Sequence, residues 1–566
     1  MDLSGSDISL DERTVIPSTE EPQTSVVGAS LQEELVRSNL SGSDIALDER
    51  TVIPSTEEVV GASLQEEPVG SPKSIESDEI RKQIARIADF LVRLQVTRPQ
   101  VIRVTQARHA LWRFGQVFRE GRSGPNRYHQ SEVRSNIAQF WSHSWQGSAL
   151  PKVLLLLAIY NGIPAVLVGS AAFVTTRICT EPELGPFPAK NPLAWSMLAG
   201  VTFSSLTFLL WQSRRRVFLD RICIHQTNER LKLEGTMNLA ALLKHSRSLL
   251  VCWDPSYMLR MWCTVELAVF LKCHAQGLLI IRPVSWGGCA IAGFLSLATL
   301  LAGSDLLTLL LTEDFLGRGD LQWVALVTSF IYAAFGFLFM YFCSAAARAH
   351  FRAANAVQEQ LRTFSFYNDT TCHCCSVNHV IEKTGQRIPC DREALSQCLG
   401  HWFGSVSAFD GVVQQEVSAS FERGVIQCLL PYAWLVGAMC PMMWFGIHNG
   451  FFYYFDSAFS DAWLAFCNAV YCFGWWLGTI PVIVALWLRI PRRCQRRRST
   501  RCQEVMLNIA CSFVIGFMVL VVRGVEFVIV FSMPTYGIIT CTLISLLAVA
   551  LLLSNCGRMC HYTSVS

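Results

Sequence analysis

The segment from Cys372 to Cys390 reads CHCCSVNHVIEKTGQRIPC. Zinc prefers four thiolate or imidazole ligands in a tetrahedron. Cys372, Cys375, His379 and Cys390 have the spacing for such a site. Cys372-x-x-Cys375 forms the pair, and a turn at Thr384–Gly385 separates it from Cys390. A reduced thiol cluster without metal is the alternative, because the second half supplies one Cys rather than two.

A second constellation is cationic. Arg489 to Arg501 reads RIPRRCQRRRSTR. Next to an apolar run it acts as a topology determinant and is drawn to anionic lipid. The loop is too short to read as a nucleic-acid site, so no nucleic-acid partner is expected. Cys556 and Cys560, just past the last apolar run, are candidate palmitoylation sites. No P-loop, Rossmann fingerprint, His-Glu-x-x-His or nucleophile elbow is present.

The elements that would position chemistry lie between Arg214 and Pro283. Leu239, Leu242 and Leu243 recur at helical spacing. Leu249 to Trp253 and Leu278 to Ile281 are short apolar runs of buried-strand length. Trp262, Leu267, Val269 and Phe270 line a second helix. With a strand at Val217–Leu219 this alternation predicts a parallel α/β sheet. Upstream, FWSHSW at Phe140–Trp145 predicts one more strand. Ligands gather at the carboxyl ends of strands in such sheets, which singles out Ser142, His143, Asp220 and Trp253.

The run LLKHSRSLLVCWDPSYMLRMWCTVEL resembles the Toll/interleukin-1 receptor (TIR) domain, especially its plant form. The matching residues are Ser246, the strand at Leu249–Cys252, Tyr257, and Trp262-Cys263-x-x-Glu266-Leu267. The resemblance implies a small parallel α/β domain that associates with other TIR-like domains or with itself. It also implies possible NAD cleavage, with Glu266 as catalytic carboxylate and Tyr257 among the supporting residues. A carboxylate can stabilise the oxocarbenium-like centre formed when nicotinamide leaves ribose. The other reading of Glu266 is a helix residue paired with Arg260 or Arg221.

The rest of the chain is a membrane protein by composition. Of 566 residues, 51% are hydrophobic and 16% charged, and the mean hydropathy is +0.33. Apolar runs at Val153–Thr175, Leu193–Trp211, Trp286–Leu311, Leu321–Ala346, Val425–Ile447, Trp463–Leu488 and Val505–Asn555 give about eight spans, the last run counting twice. Its break falls at Arg523–Glu526 or at Ser532–Gly537, and Pro534 and Gly537 favour the second. Arg523 and Glu526 then lie within a span, as a pair or facing a cavity, unless they mark a short polar turn. Most cysteines lie in apolar or cytosolic segments, so no disulfide scaffold is expected.

Basic loops after residues 211, 346, 488 and 557 alternate with short or acidic ones. That places both termini, the α/β segment and residues 347–424 in the cytosol. The polar, acidic N-terminus predicts no cleavable signal peptide. Leu3–Glu21 is repeated almost unchanged at Leu40–Glu58, in an acidic, Ser-rich stretch that predicts disorder. Ile80, Ile84, Ile87, Leu91 and Leu94 form one face of a basic amphipathic helix, packed on a domain or lying on a membrane.

The expected organisation is a disordered tail (1–75), a cytosolic helical segment with the first strand (76–150), a membrane hairpin (151–212), the TIR-like segment (213–285), a second hairpin (286–346), the Cys/His segment (347–424) and four final spans (425–566). Signalling or interaction through the α/β domain, with possible NAD cleavage, is the leading functional expectation. A transporter or channel with a regulatory α/β domain is the alternative.

Overall fold

A computed structural model of the chain describes residues 72–120, 124–181, 185–187, 192–274, 278–316, 321–380, 387–426, 432–455, 462–532 and 536–560. The tandem repeats and the Thr384–Gly385 turn lie outside the described residues.

Helix α1 (Pro72–Arg93) comes first, followed by β1 (Arg103–Gln106), β2 (Ser131–Val133) and β3 (Phe140–His143). Two long apolar helices follow, α2 (Ala149–Cys179) and α3 (Pro192–Leu210). The chain then makes β4 (Arg216–Val217), α4 (Leu239–Lys244), β5 (Ser248–Trp253), α5 (Met261–Cys273) and β6 (Leu278–Pro283). The long helices α6 (Ser285–Leu316) and α7 (Leu321–Arg362) lead to α8 (Asp391–Phe403). Next are α9 (Cys440–Phe455), α10 (Ala462–Gly474), α11 (Ile480–Trp487), α12 (Arg501–Ser532) and α13 (Gly537–Cys560).

Strands β3, β5 and β6 form a parallel sheet in the order β3-β5-β6. Its register sets Ser142 beside Val251 and Trp253 beside Pro283. All six residues of β5 are buried, as expected for the central strand of a sheet covered on both faces. The expected strand at Val217–Leu219 is different. It is only two residues long and pairs antiparallel with β1, in a second sheet ordered β2-β1-β4. Phe218 then makes a single parallel bridge to Phe140, so this segment joins the two sheets. Asp220 turns the chain into a one-turn helix, which ends the strand.

Segments from before, between and after the first two pairs of long helices share one core. Ala88 and Leu91 of α1 belong to it, with Leu249 and Val251 of β5, Leu267 and Phe270 of α5, and Leu395 and Cys398 of α8. The apolar face of α1 is therefore a packing face within the module. That helix stops at Arg93, with Leu94 in the left-handed region (φ 50°), before Pro99 is reached.

Among the described residues, five helical stretches are long and apolar enough to cross a membrane: Ala149–Cys179, Pro192–Leu210, Ser285–Gly303, Ala469–Arg493 and Arg501–Glu526. The expected run Trp463–Leu488 holds a π-helical turn at Trp475–Thr479. The run Val425–Ile447 is not one continuous helix. A π-helical turn (Glu422–Ile426) and a short helix (Tyr432–Ala438) precede α9. In the last run, α12 is described to Ser532, and Tyr536 stands in a turn just before α13 begins at Gly537. Glu526 consequently lies inside α12.

Candidate functional site

The carboxyl ends of β3, β5 and β6 face the long helices. Five residues separate β3 from α2, and α6 begins two residues after β6 ends. The crossing of α2 and α6 is close. A Cβ on Gly287 would lie 2.4 Å from the backbone N of Leu155, so only glycine fits there. Trp286 packs beside it against Leu155 and Cys252 at the end of β5.

Lys152, in the first turn of α2, plugs the remaining ground. Its side chain is 2% exposed. The ammonium donates to the carbonyls of Ser144 and Gly147 and lies 3.5 Å from Oδ2 of Asp254. Asp254 accepts from the Ser256 N–H at 2.8 Å and from the Ser256 hydroxyl. Ser256 and Ser144 share a hydroxyl hydrogen bond of 2.6 Å. A buried ammonium requires this full set of acceptors. Among the described residues, the ground beyond β3 and β5 is thus occupied by a lysine from a long apolar helix.

Behind this plug sits Glu266, 6% exposed. It accepts a 2.5 Å hydrogen bond from the Ser142 hydroxyl. Ser142 Oγ in turn lies 2.6 Å from the Tyr257 hydroxyl, which reaches the Cys263 carbonyl at 3.3 Å. Burial pushes the Glu266 carboxyl up to about 8, with the Ser142 bond opposing and Asp220 adding to the rise. Burial also lifts Asp220 to about 6. It drives His143 well below its usual range, helped by Lys152 and Arg260. At neutral pH the environment therefore favours the protonated acid at Glu266 and neutral imidazole at His143.

Of the residues singled out from sequence, Ser142, Tyr257 and Glu266 form one hydrogen-bonded chain. Asp220 is near enough to influence Glu266 electrostatically. The Trp253 ring packs at a tilt 5.1 Å from Tyr257 and 5.2 Å from Phe421. The carbonyl of His143 accepts from the Cys263 thiol at 3.2 Å, and its ring packs on Phe118 and Trp145. Lys152, Asp254 and Ser256 were not singled out as site residues. Their one signal in sequence is a lysine at the head of an apolar run.

The thiol cluster is a separate site. Cys372, Cys374, Cys375 and Cys390 bring their sulfurs within 4.8 Å of one another and could hold a metal ion. The sulfur separations are 3.9 Å for Cys374–Cys390, 3.8 Å for Cys375–Cys390 and 2.6 Å for Cys372–Cys374. Zn–S bonds of 2.3 Å imply tetrahedral edges of about 3.8 Å, which the first two match and the third falls short of. Cys374 thus joins three of the four expected ligands. His379 stands at the edge, its Nε2 3.6 Å from the Cys375 sulfur.

Local backbone explains this gathering. Residues His373–Ser376 form a single helical turn, and Asn378 and His379 both adopt positive φ (53° and 58°). The reversal lets the Ile388 N–H bond to the His379 carbonyl at 2.9 Å, which brings Cys390 back to the turn. Cys390 occupies the N-cap position of α8. Bonds from the Cys372 and Cys374 thiols, with the helix-end N–H of Glu393, draw its thiol down toward the thiolate. Thr371 ties the cluster to the module, its N–H bonding the Leu259 carbonyl at 2.7 Å.

Comparison of the chain with protein-family models, with curated proteins and with solved structures finds no match.

Proposed function

We propose that this chain is a multi-pass membrane protein that mounts a TIR-like α/β module on the cytosolic face of a bilayer. It acts in signalling, through association of that module with other copies or with related domains. The closure of the sheet's carboxyl edge supports this reading. An open α/β sheet ordinarily receives its ligand there. Here α2, α6 and the Lys152–Asp254 pair take that place. Strands continuous with long helices move with them, so a displaced hairpin is felt in the sheet.

Five apolar helices support the membrane assignment. The shared core supports paired crossings, because segments packed together lie on one side. Each intervening stretch then crosses an even number of times. Hairpins at 149–210 and 285–346, with two more after residue 425, make eight crossings. The arginines flanking these helices favour the cytosol for the module.

NAD cleavage at Glu266 is the second reading. A buried carboxyl with a strongly raised pKa is a pattern found at functional sites. Against it stand the 6% exposure of Glu266 and its retained proton, since stabilising an oxocarbenium centre calls for the anion. The thiol cluster takes zinc in this account. Four protein thiolates leave no open position, so the zinc is structural and braces residues 372–390 against the module.

Reconstituted chain in nanodiscs tests the proposal. Counting subunits by single-molecule photobleaching is expected to find assemblies larger than one chain, with no nicotinamide release from NAD above background. Nicotinamide release that disappears in Glu266→Ala overturns it in favour of an enzyme. Ion flux in liposomes from a chain that remains monomeric overturns it in favour of transport.

A further inference from the structure

The arginine loop between α11 and α12 is built rather than merely charged. Arg348 of α7, with 0% exposure, reaches beneath it. Its guanidinium donates to the carbonyls of Cys494 (2.9 Å), Arg496 (3.4 Å) and Glu504 (3.4 Å), to Asn508 Oδ1 (2.6 Å) and to Glu504 Oε2 (2.9 Å). Arg352, one turn on, donates to the Gln495 carbonyl (3.0 Å) and to Glu504 Oε1 (3.1 Å). Three consecutive carbonyls, from Cys494 to Arg496, are thereby turned inward. The side chains of Arg496, Arg497 and Arg498 are left exposed.

Among the described residues, the charge of this loop is not offset by nearby carboxylates beyond Glu504. No acidic residue occurs between Asp461 and Glu504. Glu504 is already held by Arg348, Arg352 and the Arg498 N–H. Among the described residues, no carboxylate forms an ion pair with the side chains of Arg489, Arg493, Arg496, Arg497, Arg498 or Arg501. The long helix α12 begins at Arg501, so its positive end points into the same loop. Guanidinium groups bind phosphate oxygens in bidentate fashion, and a fixed backbone lowers the entropy lost on binding.

We propose that this loop is a binding site for the phosphorylated headgroup of an anionic membrane lipid, a phosphoinositide rather than a singly charged lipid. Several exposed arginines in one short arch match a headgroup carrying more than one phosphate. The loop also sits where two apolar helices, Ala469–Arg493 and Arg501–Glu526, end, which is the depth of lipid phosphates. The site rests on the membrane reading above. It stabilises the α11–α12 turn, to which α7 links the soluble module through Arg348.

The test uses the full chain in nanodiscs of phosphatidylcholine alone, with added phosphatidylserine, or with added phosphatidylinositol bisphosphate. A fluorescent short-chain phosphatidylinositol bisphosphate reports binding, with soluble inositol trisphosphate and inorganic phosphate as competitors. Saturable binding is expected, displaced better by the bisphosphate lipid than by either soluble competitor. The triple substitution R496Q/R497Q/R498Q is expected to weaken it on the order of a hundredfold at physiological salt. The exposed substitution Arg81→Gln on α1 should leave it unchanged and controls for general charge loss. Equal binding by the triple variant, or no preference over phosphatidylserine, overturns the inference. Preference for free inositol trisphosphate replaces lipid with a soluble ligand and also overturns it. Failure of the chain to enter nanodiscs at all instead defeats the membrane reading.

Discussion

Lys152, in the first turn of the first long apolar helix, lies 3.5 Å from Asp254, just past the central strand of the parallel sheet. The pair joins a membrane-length helix to the sheet edge at which ligands usually bind. Its members are 2% and 7% exposed, so each charge depends on the other and on the surrounding carbonyls and hydroxyls.

Removing one partner leaves a buried charge without its counter-ion. Lys152→Met and Asp254→Asn are each expected to destabilise the chain by about 3–5 kcal/mol. The double variant should recover much of that loss. Thermal unfolding of the detergent-solubilised chain, followed by tryptophan fluorescence, measures all three. Additive losses in the double variant would show that the two residues act separately.

Gly287 is the second contact between helices and sheet edge. A Cβ there meets the α2 backbone at 2.4 Å, and backbone cannot rotate aside as a side chain can. Gly287→Ala should cost about 1–3 kcal/mol by separating α2 from α6. Gly288 and Gly293, on the same helix, have nothing within 4 Å of an added Cβ. Alanine at either should be neutral or mildly stabilising, which unfolding curves of the three variants would reveal.

The Glu266 carboxyl has a defined pH signature. Its folded pKa, about 8, lies above the ordinary carboxyl value of 4.5. Between those values the unfolded chain binds fewer protons than the folded one, so stability falls as pH rises. The contribution is fully present below about pH 4.5 and is lost by about pH 8. Asp220, raised to about 6, acts in the same direction over a narrower window. Glu266→Gln imitates the protonated acid. It should unfold near the wild-type temperature at pH 5 and above it at pH 8. A wild-type melting temperature that rises from pH 5 to pH 8 in step with the variant would contradict this assignment.

For the thiol cluster, purified chain should carry one zinc equivalent by elemental analysis. Cys374→Ser and Cys390→Ser should each lose it, whereas His379→Ala should keep it. Because structural zinc contributes folding free energy, a strong chelator should lower the unfolding temperature of wild type and not that of the Cys variants. Loss of metal in His379→Ala would restore the ligand set Cys372, Cys375, His379 and Cys390.

Much of the parallel sheet was legible because its strands are short apolar runs bounded by polar residues, as at Ser248–Trp253 and Leu278–Pro283. The β1–β2 pair was not, since Arg103-Val104-Thr105-Gln106 and Ser131-Glu132-Val133 are too short and polar to show a period. Contacts across the hairpin were also hidden. Ser142 and Glu266 stand 124 positions apart with two long apolar helices between them, and no local pattern links them. In sequence Lys152 is only a cation at the head of an apolar run, because only the folded chain brings it to Asp254. The Cys-x-x-Cys template drew attention to Cys372 and Cys375. Cys374 enters because Asn378 and His379 reverse the chain in the left-handed region, which residue types alone did not announce. The tail repeats lie outside the described residues.

Side-specific glycosylation tests the membrane-mounted module most directly. Asn368-Asp369-Thr370 is a natural acceptor, and Asn368 is exposed beside the shared core. A second acceptor can be carried on a flexible insert after Gly185, between α2 and α3. In cells, the chain should remain unmodified at Asn368 and gain a glycan on the insert. Glycan at Asn368 with a bare insert would invert the topology, and glycan at both would place the first hairpin and the module on one side.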